Sequence, residues 1–332
     1  MPRQIAPAVV AVCLLLLGVA RMAHAGEAPP LVLEATIALP ATSGRIDHLA
    51  IDITRKRLFV AELGNGSVDV VDLATNRVLH RITGLKEPQG VGYAASANRV
   101  AVASAGDGTV RLFAADSFAP AGVVLLGDNA DNVRLSVDGH DFLVGYGGGG
   151  LAIIDPAQGA VRARIALAAH PEGFQVAPEG RAYVNVPDAH GIAVVDLNAG
   201  RALAMWTFAG ASENFPMALG EAGIVAVVFR SPARFVRIDR ASGHEISRSN
   251  TCNDADDVFF DTRRKRYYIS CGSGVVDAFE VAGGGVKGLA VVTTSGGART
   301  SLFVPELDRM FVAVRAGLFG PVASVRVMRP AP

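Results

Sequence analysis

The sequence repeats itself about every 42 residues, and this period limits the possible folds more than any other feature. One recurring line is a short apolar stretch closing on an acid and a turn, at Asp72, Asp155, Asp196, Asp239 and Glu280. Ala114 takes the equivalent place in one unit, and successive positions lie 41 to 43 residues apart. A second line, the start of an apolar strand, falls at Leu49, Val91, Val133, Phe174, Met217, Val258 and Leu302, 41 to 44 apart. In the first unit the alternation predicts strands over residues 49–53, 58–62, 68–72 and 78–82, separated by turn formers such as Gly64, Asn65 and Gly66. No stretch after residue 26 holds a 3.6-residue period over 11 or more residues. Four strands per unit at this period is the pattern of a β-propeller blade, and seven starts make seven blades. The last unit has only three strands, near 301–304, 310–314 and 323–328. An orphan strand at 31–39 is expected to complete it as the outer strand, which closes the ring and covers an open edge. The expected fold is all-β, a single seven-bladed propeller of four-stranded blades.

Composition removes some functions. Half of the 332 residues are hydrophobic and 37 are glycine, which suits a large core and many tight turns. The 31 Lys+Arg are matched by 31 Asp+Glu. Nucleic-acid binding is therefore not expected, since it needs a basic field to displace phosphate counterions. Arg3 gives a basic start, residues 9–20 are apolar or small, and Ala23 and Ala25 precede Gly26. That layout is a cleaved secretory signal peptide. Twelve residues rise only about 18 Å as a helix, short of a hydrocarbon core of about 30 Å, so no membrane span is expected in the mature form. The division is signal peptide 1–25 and propeller 26–332, periplasmic or secreted. Cleavage would remove Arg3 and Arg21 and no acid, leaving a formal net charge of −2. It would also remove Cys13, leaving Cys252 and Cys271. These are either a disulfide, the expected state in an oxidising compartment, or two separate buried thiols.

With this layout, the phrases RLFVA at 57–61 and RAYVN at 181–185 resemble the YVTN-repeat (YncE-like) family of bacterial seven-bladed propellers. The resemblance spans the whole mature chain. It implies the fold and an exported location, and it leaves function open, because propellers host lyases, lactonases, oxidoreductases and binding scaffolds.

In such a ring the first strand of each blade lines the central channel. The segment leading into it and the loop between the second and third strands form one face, the top. The lead-in segments carry Asp47 and His48, Glu87 and Gln89, Asp131 and Asn132, His170 and Glu172, Asn214, Asp256 and Asp257, and Arg299. A purely structural repeat would carry similar residues at equivalent places; unlike polar residues converging on one axis suit a binding site. The second loop adds Glu62, Asp107, Asn185, Asp188, His190, Arg230 and Arg234. Imidazole with carboxylate makes His48, His170, Glu172 and Asp256 a candidate ligand set for a divalent metal such as Zn, Mn or Fe. Oxygen-only subsets suit Ca or Mg. Against a metal, carboxylates at blade junctions can accept backbone N–H groups. Arg299 is also the natural partner of the Asp254, Asp256 and Asp257 cluster, whose like charges need relief. Neither a Gly-x-Ser-x-Gly elbow nor a phosphate-binding glycine loop occurs. Two functions remain. The first is a binding module that captures a small molecule or protein through the polar top face. The alternative is a metal-assisted hydrolase or lyase of the lactonase type, with a cation at the channel mouth.

Overall fold

Each repeat unit folds as a four-stranded antiparallel meander, and seven such blades form the ring. The computed structural model describes residues 28–317 and 322–332; the expected signal peptide, 1–25, and Cys13 lie outside the described residues. Blade 1 comprises Leu49–Asp52, Arg57–Glu62, Ser67–Asp72 and Arg77–Ile82, paired in that order. The middle strands are mostly apolar because both of their faces are covered. On Arg57–Glu62, Leu58 and Val60 pack toward blade 7, while Phe59 and Ala61 pack toward blade 2. The alternation that normally separates core from solvent here separates two cores. Seven hydrophobic clusters result among the described residues, each between two neighbouring blades. Outer strands face solvent on one side, as in Arg201–Thr207, which explains their mixed composition. Trp206, in this outer strand, packs on Tyr183 with ring centroids 5.4 Å apart.

The repeating acid is a turn device. Asp72 Oδ1 accepts the Ala74 N–H at 2.8 Å, Asp155 that of Ala157 at 2.8 Å, and Asp239 that of Ser242 at 2.8 Å. Each carboxylate thus closes the turn between third and fourth strands. Where Ala114 replaces it, the turn closes by a backbone bond from Phe118 N–H to Ala114 O at 2.8 Å.

The last blade pairs as Leu31–Ala38, Ser324–Pro330, Arg309–Val314 and Ser301–Val304, so the N-terminal strand is its outer strand. Its register departs from the expectation by one residue. Ser301, not Leu302, stands opposite Val312 in the place that Leu49 takes opposite Val60. Ser301 holds that place through its hydroxyl, 2.7 Å from the Ser270 hydroxyl of blade 6. Blade 6 departs in another way: the tight turn at Gly283 and Gly284 shortens its outer strand to Gly285–Gly288. Val292–Thr293 then pairs with the start of the third strand. The basic run at 263–266 spans the bottom-face turn of this blade and the first residue of its second strand, and Arg264 pairs with Asp261 at 2.9 Å and Asp308 at 2.7 Å. Cys252 and Cys271 form a disulfide with Cα atoms 6.0 Å apart. Among the described residues no helix is long and apolar enough to cross a membrane.

Candidate functional site

The channel mouth is built by a backbone irregularity repeated in six of the seven blades. In blades 2, 5 and 6 the register of the first strand slips between Pro88 and Gly90, Asn214 and Met217, and Ala255 and Asp257. In blades 1, 3 and 4 the same bulge shows in the hydrogen bonds, because two lead-in residues share one partner. Asp47 N–H donates to Ala61 O while Ala61 N–H donates to His48 O; Asp131 and Asn132 share Gly145, and Glu172 and Gly173 share Asn185. A bulge bends the strand and re-aims the extra side chain. The re-aimed positions are Asp47, Gln89, Asp131, Glu172, Phe215 and Asp256, and the Thr300 bond to Ala313 gives Arg299 the equivalent place in blade 7. One residue per blade, all seven line a single cavity of about 220 Å³ at the top of the channel.

Two glycines in the next ring let neighbouring blades close in. A Cβ on Gly90 would lie 2.1 Å from the Asp131 carbonyl oxygen, and one on Gly173 would lie 2.4 Å from that of Phe215. The floor is polar: His48, Arg134 and Asp257 line both the mouth and a deeper channel cavity of about 320 Å³ walled by Leu49, Val91, Val133 and Phe259.

Ten of the twelve lead-in residues named from sequence line the mouth: Asp47, His48, Gln89, Asp131, Asn132, His170, Glu172, Asp256, Asp257 and Arg299. Glu87 is exposed, two residues before the re-aimed Gln89. Asn214 is fully buried one residue before Phe215 and holds Asn185 Oδ1 and Gly191 O, each at 2.9 Å. Of the second-loop residues, Arg230 reaches the cavity. Glu62 is instead buried against Thr42 at 2.6 Å. Arg45, Asn129 and Phe215 of the lead-in segments, and Arg134 inside a first strand, also line the mouth beyond the twelve. The signal for Phe215 was its place in the 41–43-residue series, not its polarity.

The mouth has two electrostatic sides. On one, guanidinium and carboxylate are paired: Arg45 with Asp47 at 2.7 Å, and Asp256 with Arg230 and with Arg299, the latter at 2.9 Å. Arg299 also holds Asp254 at 2.8 Å. Asp257 accepts the Ser301 N–H at 2.7 Å, a blade-junction role. On the other side Asp131, His170 and Glu172 come together from adjacent blades 3 and 4, with ligand atoms within 4.8 Å of one another. His170 and Glu172 thus group with Asp131 and not with His48 and Asp256, which face other partners. His48 Nε2 lies 3.7 Å from Asp47, and Asp256 is held by its two arginines.

Burial, then the Asp131 charge, pushes the Glu172 carboxyl up to about 8. For His170 burial disfavours the cation, but the Asp131 and Glu172 carboxylates and the Gly147 carbonyl outweigh it and bring the imidazole to about 9. His48 goes the other way, lowered to about 4 by burial and then by Arg134. Burial also raises Asp47 and Asp257. The mouth therefore holds a neutral imidazole, an imidazolium and the proton-bearing carboxyl of Glu172 within one small volume, a set able to donate and accept hydrogen bonds at neutral pH.

Fold and mouth together define the class: a seven-bladed β-propeller with a polar channel mouth. No protein-family model and no curated protein matches the chain. Among solved structures it is similar to a chain of Kuenenia stuttgartiensis hydrazine synthase, at 16% identity over 88% of this chain and 99% of that one, with a TM-score of 0.75. A chain of a mitotic checkpoint complex shows 11% identity over 100% of this chain and 99% of that one, with a TM-score of 0.78. The RRP9 WD40 repeats show 10% identity over 90% and 97%, with a TM-score of 0.77. At these identities the likeness is one of fold.

Proposed function

We propose that this chain is an exported, YVTN-repeat (YncE-like) propeller that binds a compact polar molecule in its channel mouth. One observation carries the reading. The seven equivalent lead-in positions, which a structural repeat would fill alike, hold Asp, Gln, Asp, Glu, Phe, Asp and Arg around one cavity. A volume of about 220 Å³ is below the roughly 300–1,000 Å³ of drug-sized ligand sites, and the lining is mostly polar where such sites are mostly apolar. The occupant is therefore small and hydrogen-bonding. The disulfide supports the exported location, since such bonds persist in oxidising compartments.

The test is a thermal-shift screen of amino acids, hydroxy acids, lactones and sugars against the purified protein. A compound that binds the mouth raises the melting temperature of wild type, and Glu172→Gln or Arg299→Ala removes the shift. Arg263→Ala, on the bottom face, leaves it. A compound that stabilises all four proteins equally places binding elsewhere. Turnover of a bound lactone would replace the binding module with the hydrolase reading.

A further inference from the structure

Among the described residues no arginine serves the side of the mouth that holds Asp131 and Glu172. Four arginines line the cavity, and each is already engaged. Arg45 takes Asp47, Arg230 and Arg299 take Asp256, and Arg134 donates to the Val133 carbonyl at 2.9 Å. Among the described residues none of these guanidiniums hydrogen-bonds Asp131 or Glu172. Asp131 is only 6% exposed, lines the cavity, and its Oδ1 has no hydrogen-bond partner. An anionic oxygen removed from water without a donor is costly unless something absent from the protein itself completes it.

His170 is oriented to take part. Its Nδ1 lies 2.6 Å from the Gly147 carbonyl oxygen and must donate there, which turns Nε2 toward Asp131, 3.8 Å away. A histidine that ligates a metal through one nitrogen characteristically donates the other N–H to a carbonyl or carboxylate. Asp131 and Glu172 both occupy bulge positions pinned by backbone bonds to Gly145 and Asn185, so the two carboxylates are carried on strand backbone and not on a loose loop.

We propose that Asp131, His170 Nε2 and Glu172 form a binding site for one divalent first-row metal ion of the zinc, manganese or iron class. One imidazole with two carboxylates is a borderline donor set, softer than the all-oxygen shells that Ca²⁺ and Mg²⁺ take. Bond lengths near 2.1 Å require ligand atoms about 3.4 Å apart. The present separations, up to 4.8 Å, are wider than this, so the side chains draw together on binding. Three protein ligands leave a coordination position open toward the cavity. The ion therefore sits where a mouth-bound molecule would meet it, and this inference rests on the mouth being a binding site.

Isothermal titration of EDTA-stripped protein with ZnCl₂ and with MnCl₂ decides it. One equivalent is expected to bind in at least one titration. Asp131→Asn and His170→Gln should each weaken binding by about 100-fold or more. His140→Gln, in an exposed bottom turn, should leave it unchanged. Melting curves of every variant check folding, and Glu172→Gln serves if Asp131→Asn does not fold. A Co²⁺ visible spectrum that changes on His170→Gln supports nitrogen ligation independently. Absence of one-site binding, binding that survives both ligand variants, or tighter binding of CaCl₂ or MgCl₂ than of either transition metal overturns the site. Loss of the metal site with the small-molecule thermal shifts intact leaves the binding module standing. One-site metal binding with no small-molecule shift does the reverse.

Discussion

Glu172 shows how a single residue of the mouth reaches global stability. Its carboxyl moves from an ordinary value near 4.5 to about 8, and His170 from near 6.5 to about 9. Across those windows the folded chain keeps protons that the unfolded chain has released. Their stabilising contribution is full below the windows and is lost as pH rises through them. Asp47 and Asp257, also raised, add slope of the same sign. His48 acts oppositely: lowered to about 4, it costs stability as pH falls from 6.5 toward 4. Above pH 6.5 only the losing terms act, so urea unfolding of metal-free protein should show stability falling between pH 6.5 and 9 by roughly 2–4 kcal/mol. Glu172→Gln removes one proton and weakens the hold of His170 on another, so its slope over that range should be visibly flatter. Equal slopes in variant and wild type would show that Glu172 does not titrate there. Most of these residues were legible in the sequence because they are polar and precede an apolar strand. Phe215 and Arg134 were not, the first because polarity was the criterion, the second because it lies inside a strand. Glu87 and Asn214 met the criterion yet miss the cavity, since only the bulge decides which lead-in side chain is turned inward.

At the scale of elements, the repeat made the blades readable while local irregularities stayed hidden. The 42-residue period carries strand order and turn positions because each turn needs its own acid or glycine. A bulge needs no special residue, so six of them left no mark beyond the unlike side chains they re-aim. The blade 7 register slipped by one because Leu302 looks more like a strand start than Ser301, whose hydroxyl pairing with Ser270 is not visible in an apolar pattern. The disulfide is an element-scale tie of the mouth. Cys252 lies in the lead-in of blade 6 and Cys271 ends its second strand, so the bond clamps the segment that carries Asp254 and Asp256. A sequence separation of 19 corresponds to about 3 kcal/mol of loop-closure entropy removed from the unfolded chain. Reduction, or the double replacement Cys252→Ser and Cys271→Ser, should lower the unfolding free energy by about that amount in urea. An unchanged urea midpoint under reducing conditions would mean the bond constrains nothing that unfolding releases.

For the whole molecule, closure of the ring rests on one strand far from its partners in sequence. Leu31–Ala38 pairs along Ser324–Pro330. It buries Leu31 at 2% and Ile37 at 1% exposure, followed by Leu39 at 0%. Ile37 and Leu39 belong to the cluster between blades 7 and 1, while Leu31 belongs to the one between blades 6 and 7, so one strand joins the interfaces on both sides of the seam. Each fully buried aliphatic side chain contributes about 1.5–3 kcal/mol, so the three together contribute roughly 5–9 kcal/mol. That is comparable to the whole net stability of a typical domain, about 5–15 kcal/mol. Removing the strand also leaves Ser324–Pro330 as an unpaired apolar edge, a template for pairing with other chains. A chain lacking residues 28–39 should therefore elute from size exclusion as oligomers or aggregate and lose the cooperative melt. A synthetic peptide covering 28–40, added in trans during refolding, should restore a monomer-sized complex and the transition. A truncated chain that stays monomeric with an unchanged melting temperature would mean that the propeller is held by its five other blade interfaces and does not depend on the seam.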